Sequence, residues 1–239
     1  MKAMFRAAGV ATAPWREIGA PEDMGALGDT VGYPAILKLS ESSAGLGLDR
    51  SAVVRWEKEA RARHALLVAA GHAPLRIFAE RFLTGREMTV LVYDAPWTSD
   101  GVAALPAVEI VYDKRIPVTE RLLFKGHRQV GIDGAWRKHI DPPRCVHAAA
   151  SAALQPASMQ AAIAAYRAVG GDGYARVDLR FDESTGDINA LEVHANAKLS
   201  RAAPSIAPAL AVAGVAFERL IEDILAAALL RRPAPVEQG

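Results

Sequence analysis

The 239-residue sequence predicts an α+β protein, helix-rich and built in two lobes. Three observations carry this. Short apolar runs bounded by glycine, proline and serine read as strands. Alanine-rich amphipathic stretches closed by glycine read as helices. Their order, a strand–loop–helix–strand–turn series followed by a second mixed unit, divides the chain near residue 84. Residues 1–83 form a smaller lobe, 84–232 a larger one, and 233–239 a tail.

Each element has a local reason. Residues 1–9 end a helix at Gly9, and Pro14-Trp15 continues extended. YPAILKLS, 33–40, is an apolar strand entered from a proline, and SESSAGLGLDRS, 40–51, is a glycine- and serine-rich loop. Residues 52–70 read as a helix with a charged middle, stopped at Gly71. LRIFAERF, 75–82, and MTVLVYD, 88–94, read as strands joined by a tight LTGRE turn. Residues 102–113 form a strand broken at Pro106; 114–155 are irregular and basic. Met159, Ile163 and Tyr166 share a helical stripe that Gly170-Gly171 ends. A hairpin spans 173–194, and a last helix runs from about Ser205 to Arg231.

Composition narrows the function. With 28 basic and 27 acidic residues, no electrostatic case exists for nucleic acid or an anionic membrane as partner. Cys145 is the one cysteine, which excludes an internal disulfide. The N-terminus is too weakly apolar for a signal peptide. The most apolar stretch, 206–230, contains Pro208, Glu218, Arg219, Glu222 and Asp223, so it reads as a soluble helix rather than a membrane span. The expected location is the cytoplasm.

The hairpin GYARVDLRFDESTGDINALEVH carries the chemistry. Strands alternate faces, so Arg176, Asp178 and Arg180 share one face, with Val177, Leu179 and Phe181 on the other. Apolar pairing of Val177 with Val193 and Leu179 with Leu191 sets Asp178 opposite Glu192 and Arg176 opposite His194. Opposed carboxylates repel unless a cation lies between them, and a hard divalent ion takes oxygen ligands. Two readings stand at this point: a metal site, or an amphipathic hairpin whose acids are screened by Arg176 and Arg180.

Other polar stretches are individually weaker. Lys38 ends a strand just before the Gly/Ser loop, where backbone N–H groups and a point charge suit a phosphate, although the spacing is not a P-loop. The run FAERFLTGRE, 78–87, offers backbone groups to a base and Glu87 to ribose hydroxyls, or is a surface hairpin. The basic segment containing Lys114, Arg115, Arg121, Lys125, Arg128, Arg137 and Lys138 is a solvated loop or a flap over phosphates. His64, His72, His127, His139 and His147 show no ligand spacing.

Taken in order, AAGVATAPW, YPAILKLSESSAGLGL, ERFLTGREMTV, LPAVEIVYD, GYARVDLRFD and LEVHANAKLS resemble the ATP-grasp superfamily, and within it the D-alanine–D-alanine ligase branch. The resemblance implies antiparallel sheets in two lobes that clamp ATP. It implies an enzyme that makes an acyl phosphate from a carboxylate and lets an amine attack it. By residue, it implies that Lys38, with Ser42, Ser43 and Gly45 of the loop, holds phosphates. Glu80, Arg81 and Leu83 would meet adenine, Glu87 the ribose, and Lys114 the nucleotide from the basic segment. Arg176 would stabilise developing charge. Asp178, Glu192 and His194 would hold Mg²⁺, or Mn²⁺ in view of the imidazole. The alternative is a nucleotide-binding module without turnover that needs a partner chain.

Three departures from the family pattern stand out. His194 replaces the usual asparagine, and imidazole suits Mn²⁺ better than Mg²⁺. Lys198, in ANAKLS, replaces a glycine of the acceptor-binding stretch. The family's N-terminal substrate domain and first phosphate-contacting lysine are expected before Met1, which makes a dimer mate or separate substrate-domain chain the expected partner.

Overall fold

The computed structural model describes residues 1–40, 47–72, 76–122, 128–130, 136–138 and 145–231. Ser42, Ser43 and Gly45 lie outside the described residues, as do the proline-rich tail and the side chains of Lys125, Arg128, Arg137 and Lys138. In chain order the elements are α1 (Lys2–Ala7), β1 (Trp15–Ile18), α2 (Leu27–Thr30), β2 (Ala35–Leu39), β3 (Val53–Val54), α3 (Glu57–Leu67), β4 (Ile77–Arg81), β5 (Glu87–Asp94), β6 (Val102–Ala104), β7 (Val108–Tyr112), β8 (Arg128–Val130), β9 (Trp136–Lys138), β10 (Cys145–Ala149), α4 (Gln155–Ala168), β11 (Tyr174–Phe181), β12 (Ile188–His194), α5 (Ala207–Ala213) and α6 (Phe217–Leu230).

Two compact units form, and both are discontinuous in sequence. One comprises Met1–Thr12, Arg86–Val111 and Val146–Gly239; the other comprises Ala13–Gly85 and Tyr112–Cys145. The expected division was into continuous segments, 1–83 and 84–232. Residues 1–12 instead join the larger unit because Phe5, fully buried, belongs to its core.

The larger unit contains a sheet in the order β10-β7-β5-β11-β12, with β6 also pairing β5. On one face Met88, Val90, Val92, Val177, Leu179, Ala190 and Val193 pack with Phe5 of α1 and with Ala162, Ala165 and Tyr166 of α4. The other face is graded along its length. At the β11 N-terminal end, Tyr93, Leu91 and Tyr174 pack with Ile206, Leu210 and Leu220 from the C-terminal helices. Further along, the same face carries Thr89, Glu87, Arg176, Asp178 and Arg180.

The smaller unit has a sheet in the order β1-β4-β2-β3, its core made by Ile18, Met24, Leu27, Leu37, Val54, Leu67 and Ile77. α3 begins at Glu57, not near 52, because Val53 and Val54 pair with Ile36 and Ala35 as an edge strand. β4 and β5, expected as neighbours across a tight turn, lie in different sheets. β10 is a strand of the main sheet inside a stretch expected to be irregular. The last helix is two, broken at Gly214, whose φ of 64° is a left-handed conformation that glycine adopts freely.

Candidate metal and nucleotide site

The hairpin brings its predicted residues together, with one change of register. Arg176 pairs with His194, Val177 with Val193, and Asp178 with Glu192. Leu179 then pairs with Ala190, not with Leu191 as expected, because the register shifts by one residue between Asp178 and Leu179. Leu191 is the extra residue of a β-bulge. The physical reason is the core. The bulge turns Ala190 inward, fully buried, while leaving Glu192 on the opposite face. The Ala190 carbonyl beside the bulge accepts from Thr12 Oγ1 at 2.7 Å and from Lys2 Nζ at 3.2 Å. Lys2 is itself buried, a feature that the sequence reading did not single out.

Asp178 is the hub of the cluster. Arg176 Nε donates to its Oδ1 and Nη2 to its Oδ2, both at 2.7 Å. Thr89 Oγ1, buried on β5, donates to Oδ1 at 2.9 Å. His194 Nε2 lies 3.1 Å from Asp178 Oδ2 and 2.6 Å from Glu192 Oε1. The repulsion expected between the carboxylates is thus offset by two cationic side chains. Burial pushes the Asp178 carboxyl up, but the bonds and charges of His194 and Arg176 outweigh it and hold it well below its ordinary range. Burial pulls His194 down, and its contacts with Asp178 and Glu192 reverse this, raising it to about 9. Ligand atoms of Asp178, Glu192 and His194 lie within 4.8 Å of one another. Two carboxylates and an imidazole at that spacing fit a divalent cation once the imidazole gives up its proton.

Two further residues share this face. Arg180 and Glu87 oppose each other on β11 and β5 and form a buried ion pair at 3.0 Å. The alternation that groups Arg180 with Asp178 was visible in sequence; its partner was not. His147 on β10, treated as an ordinary histidine from sequence, is lowered by burial and also feels the charges of Arg176 and Asp178. Thr89 carried no sequence signal at all.

In the smaller unit, Lys38 Nζ is 2.8 Å from Glu80 Oε2. Glu80 is almost fully buried, whereas Lys38 keeps about a fifth of its side chain exposed. Arg81 ends β4 and pairs across to Ala35, and Leu83 is buried just beyond it. Lys114 is exposed in the turn after β7. A cavity of about 370 Å³, lined by Ser51, Val54, Arg63, Leu66 and Glu120 among others, contains none of the predicted site residues. Among the described residues, no helix is long and apolar enough to cross a membrane.

Comparison with known proteins places the chain. Residues 4–226 match the family described as "D-ala D-ala ligase C-terminus". A D-alanine–D-alanine ligase of Geobacter sulfurreducens is 31% identical over 96% of this chain and 64% of its own length. One from Synechococcus sp. (strain JA-3-3Ab) is 30% identical over 98% of this chain and 66% of its own. The chain therefore spans a little under two thirds of these relatives. Among solved structures, the D-alanine–D-alanine ligase of Bacillus anthracis superposes with a TM-score of 0.66 at 19% identity, over 95% of this chain and 65% of that one. The biotin carboxylase of Campylobacter jejuni also gives 0.66, at 18% identity, over 98% of this chain and 46% of that one. The fold is ATP-grasp, with antiparallel sheets and flanking helices. With the family match running over nearly its whole length, this chain belongs to the D-Ala–D-Ala ligase C-terminal family.

Proposed function

We propose that the chain is an ATP-dependent ligase that joins a carboxylate to an amine through an acyl phosphate. The observation that carries this is the cluster in which Asp178, Glu192 and His194 converge within 4.8 Å while Arg176 forks onto Asp178. A carboxylate oxygen attacks the γ-phosphorus of ATP, the bond to the β–γ bridging oxygen breaks, and ADP leaves. The amine nitrogen then attacks the acyl carbon, phosphate leaves, and the nitrogen loses a proton. Phosphoryl transfer needs positioning and electrostatic stabilisation more than covalent chemistry, and Arg176 supplies charge to the transferring group.

Asp178, Glu192 and His194 hold the divalent cation, which neutralises phosphate charge when bound. A nitrogen ligand in place of an amide oxygen favours Mn²⁺ relative to Mg²⁺. Lys38 meets phosphate, together with Lys114 and the loop residues Ser42, Ser43 and Gly45. Glu80, Arg81 and Leu83 serve adenine and Glu87 the ribose. The carboxylate and amine are amino-acid-like, with Lys198, exposed after the hairpin, available to an anionic group. A second protomer or a separate substrate-binding chain is the protein partner this reading proposes. The need for ATP puts the protein in the cytoplasm.

The test is phosphate release from ATP with and without a panel of amino acids, in Mg²⁺ and in Mn²⁺. Release stimulated by amino acids is expected. Tight ATP binding without release under either metal contradicts it and points to a nucleotide-binding module instead.

A further inference from the structure

We propose that Arg180 is a positioning residue that holds Glu87 as a fixed carboxylate for the nucleotide's ribose, making the protein selective for ribonucleotides over 2′-deoxyribonucleotides. The proposal rests on the nucleotide-binding reading above and adds to it the residue that sets sugar selectivity.

Arg180 and Glu87 are directly opposed across β11 and β5, with Nη2 3.0 Å from Oε2. Arg180 is 3% exposed and Glu87 8%. A buried ion pair is weak evidence of stability, since apolar residues of similar volume often serve as well. The pair therefore calls for another account. Arg180 Nη2 donates to Glu87 Oε2 at 3.0 Å, and a charge-assisted bond from a planar guanidinium fixes the orientation of the carboxylate. An ionised carboxylate only accepts hydrogen bonds, and vicinal hydroxyls supply two donors. Glu87 has the more accessible side chain of the two, 10% against 3%, so it is the partner with surface to offer a ligand. Its charge also reaches Arg176, which ties it to the face carrying Asp178. A sugar diol acceptor on the same face as a cation site is the arrangement a nucleoside triphosphate requires.

The experiment measures dissociation constants of ATP and 2′-deoxy-ATP for the full chain in Mg²⁺. Losing a hydroxyl that donates to a charged acceptor costs roughly tenfold in affinity, so the native chain should prefer ATP by about that factor. Arg180→Met should reduce the preference to roughly threefold or less, and Arg180→Lys should keep most of it. If Arg180→Met fails to fold, Glu87→Gln/Arg180→Met removes the uncompensated charge and should show the same loss. A native-size preference in either Met variant overturns the proposal, as does equal binding of the two nucleotides by the native chain. Failure of the native chain to bind either nucleotide sinks the nucleotide-binding reading itself, and this proposal with it.

Discussion

Burial pushes the Asp178 carboxyl up, yet the bonds and positive charges of His194 and Arg176 outweigh it and hold the carboxyl below its ordinary range. His194 Nε2 lies between the two carboxylates, 3.1 Å from Asp178 Oδ2 and 2.6 Å from Glu192 Oε1, where the proposed metal reading would put a divalent ion. On the proposed reading, metal and imidazolium would compete for one position, and the imidazole would have to shed its proton to become a ligand. Asparagine in its place would present neutral donor and acceptor groups with no proton to displace. His194→Asn should accordingly strengthen Mg²⁺-dependent nucleotide binding and narrow the gap between Mn²⁺ and Mg²⁺. Titration calorimetry with each metal checks this, and an unchanged metal preference shows that His194 is not a ligand.

Among the elements, the two strands of the hairpin were legible because period-two alternation set acids and apolar residues on opposite faces. The bulge at Leu191 was not, since leucine suits the expected Leu179 pairing as well as alanine does; only the core decides for Ala190. α4 and β11 are joined through a second network at the far end of β5. Asp94 accepts from Tyr166 Oη at 2.7 Å, from the Gly173 N–H at 2.8 Å and from Arg231 Nη1 at 2.7 Å. The turn between them is tight, and a Cβ at Gly171 would collide with the Tyr166 ring. Burial raises Asp94, but these three donors outweigh it and leave its carboxyl below the ordinary value of 3.8. A depressed folded pKa adds stability above the unfolded value, and that stability is lost as pH falls through the folded one. Asp94→Asn should therefore lower the urea midpoint at pH 7 and shrink the difference between pH 7 and pH 3. An equal loss at both pH values would mean that the Asp94 charge contributes nothing.

For the whole molecule, the α+β class was legible in the strand-like and helix-like runs, and the ATP-grasp fold in the resemblance of six short motifs, taken in order, to that superfamily. The discontinuous units were not, because the membership of residues 1–12 depends on where Phe5 finds a core rather than on any nearby signal. The pairing of Val53 and Val54 with β2 likewise overrode a helical pattern through contacts distant in sequence. Within the site, residues on the hairpin were readable from alternation and Glu87 was named from its own segment, whereas Thr89 and the pairing of Glu87 with Arg180 depend on β5 lying beside β11, 89 and 93 positions away. The proposed function requires the hairpin cluster to bind a divalent ion together with ATP. The most direct measurement is the electron paramagnetic resonance signal of free Mn²⁺, titrated with the native chain and with Asp178→Asn in the presence of ATP. The native chain should deplete the signal, and Asp178→Asn should weaken that depletion by roughly tenfold or more, as expected for loss of a principal ligand. Equal depletion by a folded Asp178→Asn variant would contradict the assignment of this cluster as the metal site.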